Sequence, residues 1–186
     1  MIAYHCDSNT ILQSPFVNRN DKHIIRAYNP IMQKLDDRGH HVDIQILDNE
    51  VSDSFKKKIR KYWGDTYQLV PPNFHRRNIA ERAIRTFKAH FLAILAGVDL
   101  DFPKYMWDNL LAQTELTINL LRQANLNTRI SAWGYYNGAF DCGATPLVPL
   151  GCKIMLQNYL NSMPLGSFSL HVTNIIICLV CIVCPL

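Results

Sequence analysis

The last third of this 186-residue sequence is nearly without charge. Residues 130–186 hold two charged side chains, Asp141 and Lys153, although the whole chain has 19 Lys or Arg and 15 Asp or Glu. The final stretch VTNIIICLVCIVCPL is apolar for about 15 residues, which is shorter than the roughly 20 residues that a membrane-spanning helix needs. We therefore expect a sequence foreign to the domain that precedes it, with a weak membrane anchor as the alternative.

Signals for secretion are also missing. The first residues, MIAYHCDSNT, lack the basic and apolar regions of a signal peptide. The six cysteines do not suggest a disulfide framework, because three are scattered and three lie at intervals of three residues in the apolar tail. The surroundings of those tail cysteines do not favour a bound metal or an activated thiolate. We expect an intracellular protein of the nucleus or the cytoplasm.

No zinc site is expected. Three histidines have no Cys or His partner at the usual spacing of zinc ligands, namely His40, His41 and His75. The sequence also has no internal repeat.

Positive charge is concentrated in one part of the chain. The net charge is +4, but residues 56–104 carry 11 Lys or Arg against 4 Asp or Glu. A local excess of this kind predicts a polyanionic partner such as nucleic acid. The lysine-rich stretch 56–61 either contacts that partner or forms an ordinary solvated helix face.

The apolar spacing predicts an alternation of strands and helices. In chain order we expect a hairpin over 2–17, a helix over 21–38, a strand over 41–47, a helix over 53–63, a strand over 67–70, a helix over 79–95 and a helix from Pro103 to about Gln123. Pro30 should kink the first helix or break it in two, and Gly39 should end it. This order predicts an α/β fold with a mixed sheet.

Two carboxylates stand where such a fold assembles sites. Asp48 follows a predicted strand and Glu81 begins a predicted helix, with 32 residues between them. A strand, a helix, a second strand and a loop of that length can bring the two residues to one side of the sheet. Carboxylate oxygens bind Mg²⁺, and two such ions can promote displacement at phosphorus.

Glu81 also has basic neighbours on its own helix. Arg85 and Lys88 follow it at the fourth and seventh positions, so the three side chains share a face. A simpler interpretation is a surface ion pair between Glu81 and Arg85, which would contribute only about 0.2–0.5 kcal/mol. The residues alone leave both interpretations open.

The stretches ILDNE and YQLVPPNFHRRNIAERAIRTF resemble the second half of retroelement integrase catalytic cores. The later stretch SAWGYYNGAFDCGATPLVPLGCKIML looks like the copia-type continuation, so the resemblance covers residues 2–157. It implies a ribonuclease-H-like fold in which acidic residues bind two Mg²⁺ or Mn²⁺ ions. It also implies metal-dependent cleavage of a DNA strand and its transfer to target DNA.

The resemblance also assigns roles to individual residues. Asp48 and Glu81 match the second and third acidic residues, which are catalytic and bind the metal ions. Arg85 and Lys88 match basic residues that grip the DNA end. The loop before the helix supplies further DNA-binding candidates, Arg76, Arg77 and Asn78, of which Asn78 also suits a helix cap.

The first acidic residue of the pattern has no match. Asp7 lies too close to the first helix for two intervening strands, and with Ser8 and Asn9 it fits a hairpin turn. We therefore expect a chain that begins inside the domain, without its first strand. The expected parts are a partial core over 1–129, a family-like extension over 130–157 and the apolar tail over 158–186.

These observations predict an integrase-core segment that binds DNA, possesses an incomplete metal site and is inactive alone. A homo-oligomer is compatible with this prediction. Two alternatives stay open: a non-catalytic nucleic-acid-binding remnant, and a tail-anchored membrane protein with a small domain.

Overall fold

The computed structural model describes residues 1–47, 51–63, 66–69, 79–145 and 147. Within these ranges the fold is mixed α/β, with five α-helices and two two-stranded sheets. The elements are β1 (Ile2–His5), β2 (Thr10–Gln13), α1 (Asp21–Asp36), β3 (Ile44–Leu47), α2 (Asp53–Trp63), β4 (Thr66–Leu69), α3 (Ile79–Ala96), a 3₁₀ helix (Lys104–Leu110), α4 (Leu111–Leu121) and α5 (Ala132–Asn137).

The predicted N-terminal hairpin is confirmed, with shorter strands. β1 and β2 pair antiparallel, with Ile2 opposite Gln13 and His5 opposite Thr10. The turn between them contains Asp7, as the sequence predicts, and Asn9 adopts φ 58°, a conformation that asparagine tolerates better than most residues. The Tyr4 hydroxyl donates a hydrogen bond to the Asn9 side chain at 3.0 Å and steadies the turn.

The hairpin separates two hydrophobic clusters. Because side chains alternate along a strand, neighbouring residues of β2 enter different clusters. Leu12 joins residues of α1, α2 and α5, which include Ile31, Ile59 and Tyr136. Ile11 joins residues of α3 and α4, which include Phe87, Leu111 and Ile118. The hairpin is therefore covered by helices on both faces.

The first helix is continuous, so a break into two helices at Pro30 is wrong, and a kink there stays a prediction. α1 runs from Asp21 to Asp36 with Pro30 inside it. Pro30 is exposed, as is Arg26, the residue whose carbonyl lacks its usual intrahelical donor. The predicted stop at Gly39 is confirmed, since Gly39 adopts φ +70° and the His40 N–H donates back to the Leu35 carbonyl at 2.9 Å.

The second sheet is a parallel pair joined through α2. β3 and β4 run parallel with Ile44 opposite Thr66, which confirms both predicted strands. The apolar residues of the β3 alternation lie on the outer side: Ile44 is 61% exposed and Ile46 is 57% exposed. Gln45 is buried instead, and it accepts a 2.6 Å hydrogen bond from the Tyr28 hydroxyl of α1.

Side chains of α4 close the outer edge of β2. Asn119 accepts from the Ile11 N–H and donates to the Ile11 carbonyl, both at 2.9 Å. Glu115 accepts from the Gln13 N–H at 3.0 Å and receives two further bonds from Lys34 of α1. Side chains of α4 therefore pair with backbone groups of β2 that would otherwise lack hydrogen-bond partners at the edge of the sheet.

The predicted helix after Pro103 is divided. A 3₁₀ helix precedes α4, and Met106 inside it has non-helical backbone angles. Leu111 and Ile118 are buried as the pattern suggests, whereas Leu121, expected on the same apolar face, is 78% exposed. The short helix α5 is an addition that the spacing did not predict, and its Tyr136 joins the cluster around α1.

Candidate nucleic-acid interface

Helix α3 carries the site residues that the structure describes. Its buried positions, Ala83 and Phe87, pack against the hairpin and α4. Arg85 lies two residues from each of them, and residues two apart on a helix point in different directions. The helix therefore turns Arg85 to the side opposite its packed face, where Arg85 is exposed.

Glu81 occupies the first turn of α3 and is partly buried. The unpaired N–H groups at a helix start favour a negative charge there. At 100° per residue, Glu81, Arg85 and Lys88 fall within a sector of about 60°. Because the structure confirms the helix, Glu81, Arg85 and Lys88 share one face of it, as predicted.

The exposed positive charge on α3 extends beyond the predicted face. Lys88 is exposed like Arg85, and Arg82 is also exposed one residue after Glu81. The Thr86 hydroxyl donates a hydrogen bond to the Arg82 carbonyl at 2.8 Å. The one uncharged polar side chain of residues 82–88 is therefore bonded within the helix. Arg82 was not among the sequence-based candidates, because it lies about 100° around the helix from Glu81 and therefore outside the sector that Glu81, Arg85 and Lys88 share.

A hydrogen bond between two helices holds the middle of α3. His90 and the Thr117 hydroxyl of α4 lie 2.9 Å apart. Burial lowers the pKa of His90, which favours the neutral imidazole at this contact. The cationic face is thus presented by a helix that is fixed along its opposite side, so the backbone of this face is already ordered before a ligand binds.

Several predicted site residues lie outside the described residues. They are Asp48, Arg76, Arg77 and Asn78. The predicted approach of Asp48 to Glu81 therefore stays a prediction, as does the helix cap by Asn78. The structure describes three of the predicted site residues, Glu81, Arg85 and Lys88, and all three are on α3.

The described residues do not by themselves fit the divalent metal ions that the resemblance implies. Among them, no group of three or more His, Cys, Asp or Glu side chains could hold a metal ion. Glu81 is one carboxylate, and Mg²⁺ sites in proteins combine such a ligand with others in octahedral geometry.

Helix α2 forms a second positively charged surface. Phe55 and Ile59 are buried and fix the helix, while Lys57, Arg60 and Lys61 are exposed. The Arg60 guanidinium lies 5.0 Å from the centre of the Tyr67 ring on β4, a distance typical of a cation–π contact. Either interpretation of the lysine-rich stretch, a DNA contact or a solvated face, is compatible with these positions.

No family model matches the chain, and no curated protein matches it. Across the part of the chain that the structure describes, no helix has both the length and the apolar character needed to cross a membrane.

Proposed function

We propose that this chain is a partial catalytic core of a retroelement integrase with a ribonuclease-H-like fold. Its function is nucleic-acid binding in the service of metal-dependent DNA strand transfer, and the chain alone is inactive in that reaction. The proposal rests on the resemblance around Asp48 and Glu81, and the structure adds two lines of support.

The order of elements gives the first line of support. The described chain runs strand, strand, helix, strand, helix, strand, helix, which is the order expected of the family after its first strand. The hairpin and the parallel pair are not hydrogen-bonded to each other in the described ranges.

The exposed face of α3 gives the second line of support, and it is the structural observation that carries the nucleic-acid part of the proposal. Glu81 sits at the helix start, and Arg82, Arg85 and Lys88 follow on the solvent side. A duplex presents a row of phosphates, and each Lys or Arg that neutralises one releases condensed counterions. Contacts of this type position a nucleic acid without reading its sequence.

DNA binding tests the first half of the proposal. Fluorescence anisotropy with a labelled duplex should give an affinity that falls steeply with salt. In the variant Arg85→Glu with Lys88→Glu, the slope of log K against log salt should decrease in magnitude by about 2, as expected for two lost phosphate contacts at about 0.9 each. The matched control reverses two exposed cations of α1, Lys22→Glu with Arg26→Glu, and should change the slope less.

The outcomes of this measurement are distinct. Equal loss in both variants would indicate general attraction to a basic protein and would contradict an interface on α3. Absence of binding by the unaltered chain at low salt would contradict the nucleic-acid function as a whole.

Metal dependence tests the second half. The proposal expects weak Mg²⁺ or Mn²⁺ binding that Asp48→Asn and Glu81→Gln each abolish, and no strand transfer by the chain alone. Titration calorimetry measures the binding, and a labelled-end transfer assay measures the reaction. DNA binding that persists without any metal binding would favour the alternative, a non-catalytic nucleic-acid-binding remnant.

A further inference from the structure

A large apolar groove along the second half of α3 extends down to the hydrophobic core. Its volume is about 610 Å³, which is within the range of about 300–1,000 Å³ typical of pockets that bind ligands. Phe87 and Leu111 belong both to its lining and to the buried cluster around Ile11. The Phe91 and Trp107 rings, which also line the groove, meet edge to face with centroids 5.9 Å apart.

Exposed apolar side chains surround the opening of this groove. Leu100 is 99% exposed, and Leu92 and Ile84 are 47% and 43% exposed. All three line the groove. A single exposed leucine needs no explanation, but exposed apolar residues grouped around one groove indicate a binding surface. The occupant of such a surface must itself be apolar.

The same chain contains a segment of matching character. Residues 172–186, with the sequence VTNIIICLVCIVCPL, include no Lys, Arg, Asp or Glu. We call them the isoleucine-rich segment; they lie outside the described residues. Burial of apolar side chains away from water is favourable, and at 15 residues the segment is shorter than the roughly 20 that span a bilayer. A protein surface is therefore the better place to bury it.

The connection to this segment is long enough to reach the groove. Leu147 is the last residue that the structure describes, and 24 residues separate it from Val172. Fully extended, 24 residues span about 80 Å, whereas a compact chain of this length has a radius of gyration of about 16 Å. Such a tether holds the segment at an effective concentration of about millimolar, so in dilute solution it outcompetes a second copy of the chain.

We propose that the isoleucine-rich segment of the same chain occupies the groove beside α3. Its apolar side chains cover Phe91, Leu92 and Leu100, and no charged side chain has to be buried with them. The contact withdraws the segment from water, from bilayers and from other chains. The inference does not depend on the proposed DNA function, because it uses none of the cationic residues that this function assigns to α3.

Disulfide trapping in the full chain tests where the segment lies. Leu92→Cys places a thiol at the groove, and Cys178, Cys181 and Cys184 supply partners within the segment. Oxidised glutathione should produce an intramolecular disulfide, which peptide mass spectrometry identifies. The matched control is Ile46→Cys on β3, since Ile46 is 57% exposed and does not line the groove. Its yield should be at least about tenfold lower, because docking concentrates the segment's thiols at one site.

Negative charge within the segment should release it from the groove. Leu179→Asp with Ile182→Asp, added to the Leu92→Cys variant, should lower the disulfide yield about tenfold, because burying an unpaired carboxylate is unfavourable. The matched control, Thr173→Asp with Asn174→Asp, adds the same charge at the polar start of the segment and should leave the yield nearly unchanged. Circular dichroism of each variant checks that the fold is retained.

Vesicles of phosphatidylcholine distinguish a bilayer from the groove. This lipid has no net charge, so the basic residues of the chain are not drawn to it. The unaltered chain should stay in the supernatant when the vesicles are sedimented. Cosedimentation that Leu179→Asp with Ile182→Asp abolishes would overturn the inference, since the segment would then prefer the bilayer.

Three outcomes of the trapping experiment would also overturn the inference. Disulfides that form only between chains, seen as a dimer on a non-reducing gel, would assign the groove to a second copy. Equal yields for Leu92→Cys and Ile46→Cys would indicate contacts without a preferred site. A folded Leu92→Cys variant that forms no disulfide with the segment would exclude the groove.

Discussion

The Asn119 side chain binds both backbone groups of Ile11. Its carbonyl oxygen accepts from the Ile11 N–H and its amide donates to the Ile11 carbonyl, each at 2.9 Å. The primary amide therefore supplies the same donor and acceptor that a residue of a neighbouring strand would supply. Both residues are almost completely buried, so water cannot replace these bonds.

Asn119→Ala should destabilise the protein strongly. The substitution leaves the Ile11 N–H and carbonyl buried without partners, at a cost of about 1–3 kcal/mol for each group. We expect the free energy of unfolding in urea to decrease by about 2–6 kcal/mol. The control Asn18→Ala removes an exposed asparagine that accepts one local bond from the Asn20 N–H, and a similar loss there would contradict the importance of the edge contact.

Glu115 should make stability depend on pH. Burial raises the pKa of its carboxyl group, against the smaller opposing effects of Lys34 and Gln13. The folded protein then holds the proton more tightly than the unfolded chain does, so this residue lowers stability as pH rises from about 4.5, its ordinary value, toward the raised value.

Glu115→Gln isolates that contribution. The variant cannot ionise, although its side-chain oxygen can still accept from the Gln13 N–H. The free energy of unfolding of the variant minus that of the unaltered protein should therefore increase with pH above about 4.5. Denaturant titrations at several pH values measure this difference, and a difference that stays flat or decreases would contradict the raised pKa.

The exposure of β3 predicts a contrast between two isoleucines. Ile46→Ala should change the free energy of unfolding by about 0.5 kcal/mol or less, because Ile46 is 57% exposed. Ile59→Ala on α2 should cost about 2–5 kcal/mol, because Ile59 is completely buried. Thermal or urea unfolding of the two variants provides the comparison, and equal losses would mean that the outer face of β3 is covered.

Any side chain at position 39 in place of Gly39 should destabilise the protein. Its φ of +70° is unfavourable for other residues, while an added Cβ would meet no atom within 4 Å. Gly39→Ala should therefore destabilise by about 1–2 kcal/mol through the backbone alone. Gly97→Ala is the control, since Gly97 has no such φ and its Cβ would make ordinary contacts near 3.6 Å; unfolding measurements should show little loss there.

Local signals explain which parts of the fold were predictable. The turn around Asp7 and Asn9, the stop at Gly39 and the helix containing Glu81 each depend on residues close together in the sequence. Periodicity revealed that β3 is a strand but not which side faces the core. Gln45 is buried because Tyr28, 17 residues earlier, supplies a hydrogen-bond partner, and a pattern of apolar residues contains no such information.

The candidate site was predictable to a similar extent. Helical spacing alone places Glu81, Arg85 and Lys88 on one side of α3, and the structure confirms that helix. The approach of Asp48 to Glu81 depends on how two elements meet in space, so it stays a prediction. The apolar groove lined by Phe91, Leu100 and Trp107 was not predicted from the sequence. Leu100 belongs to an irregular segment and Trp107 to a 3₁₀ helix, where no periodicity marks the exposed side.

The contact between Ile11 and Asn119 has a consequence for the nascent chain. The two residues are separated by 108 positions. At about 5–20 residues per second, the ribosome needs about 5–20 s to add Asn119 after Ile11. During that interval the outer edge of β2 has no α4 side chain to pair with, and its backbone groups are open to neighbouring polypeptides. Binding of β2 by a co-translational chaperone would protect it until α4 emerges.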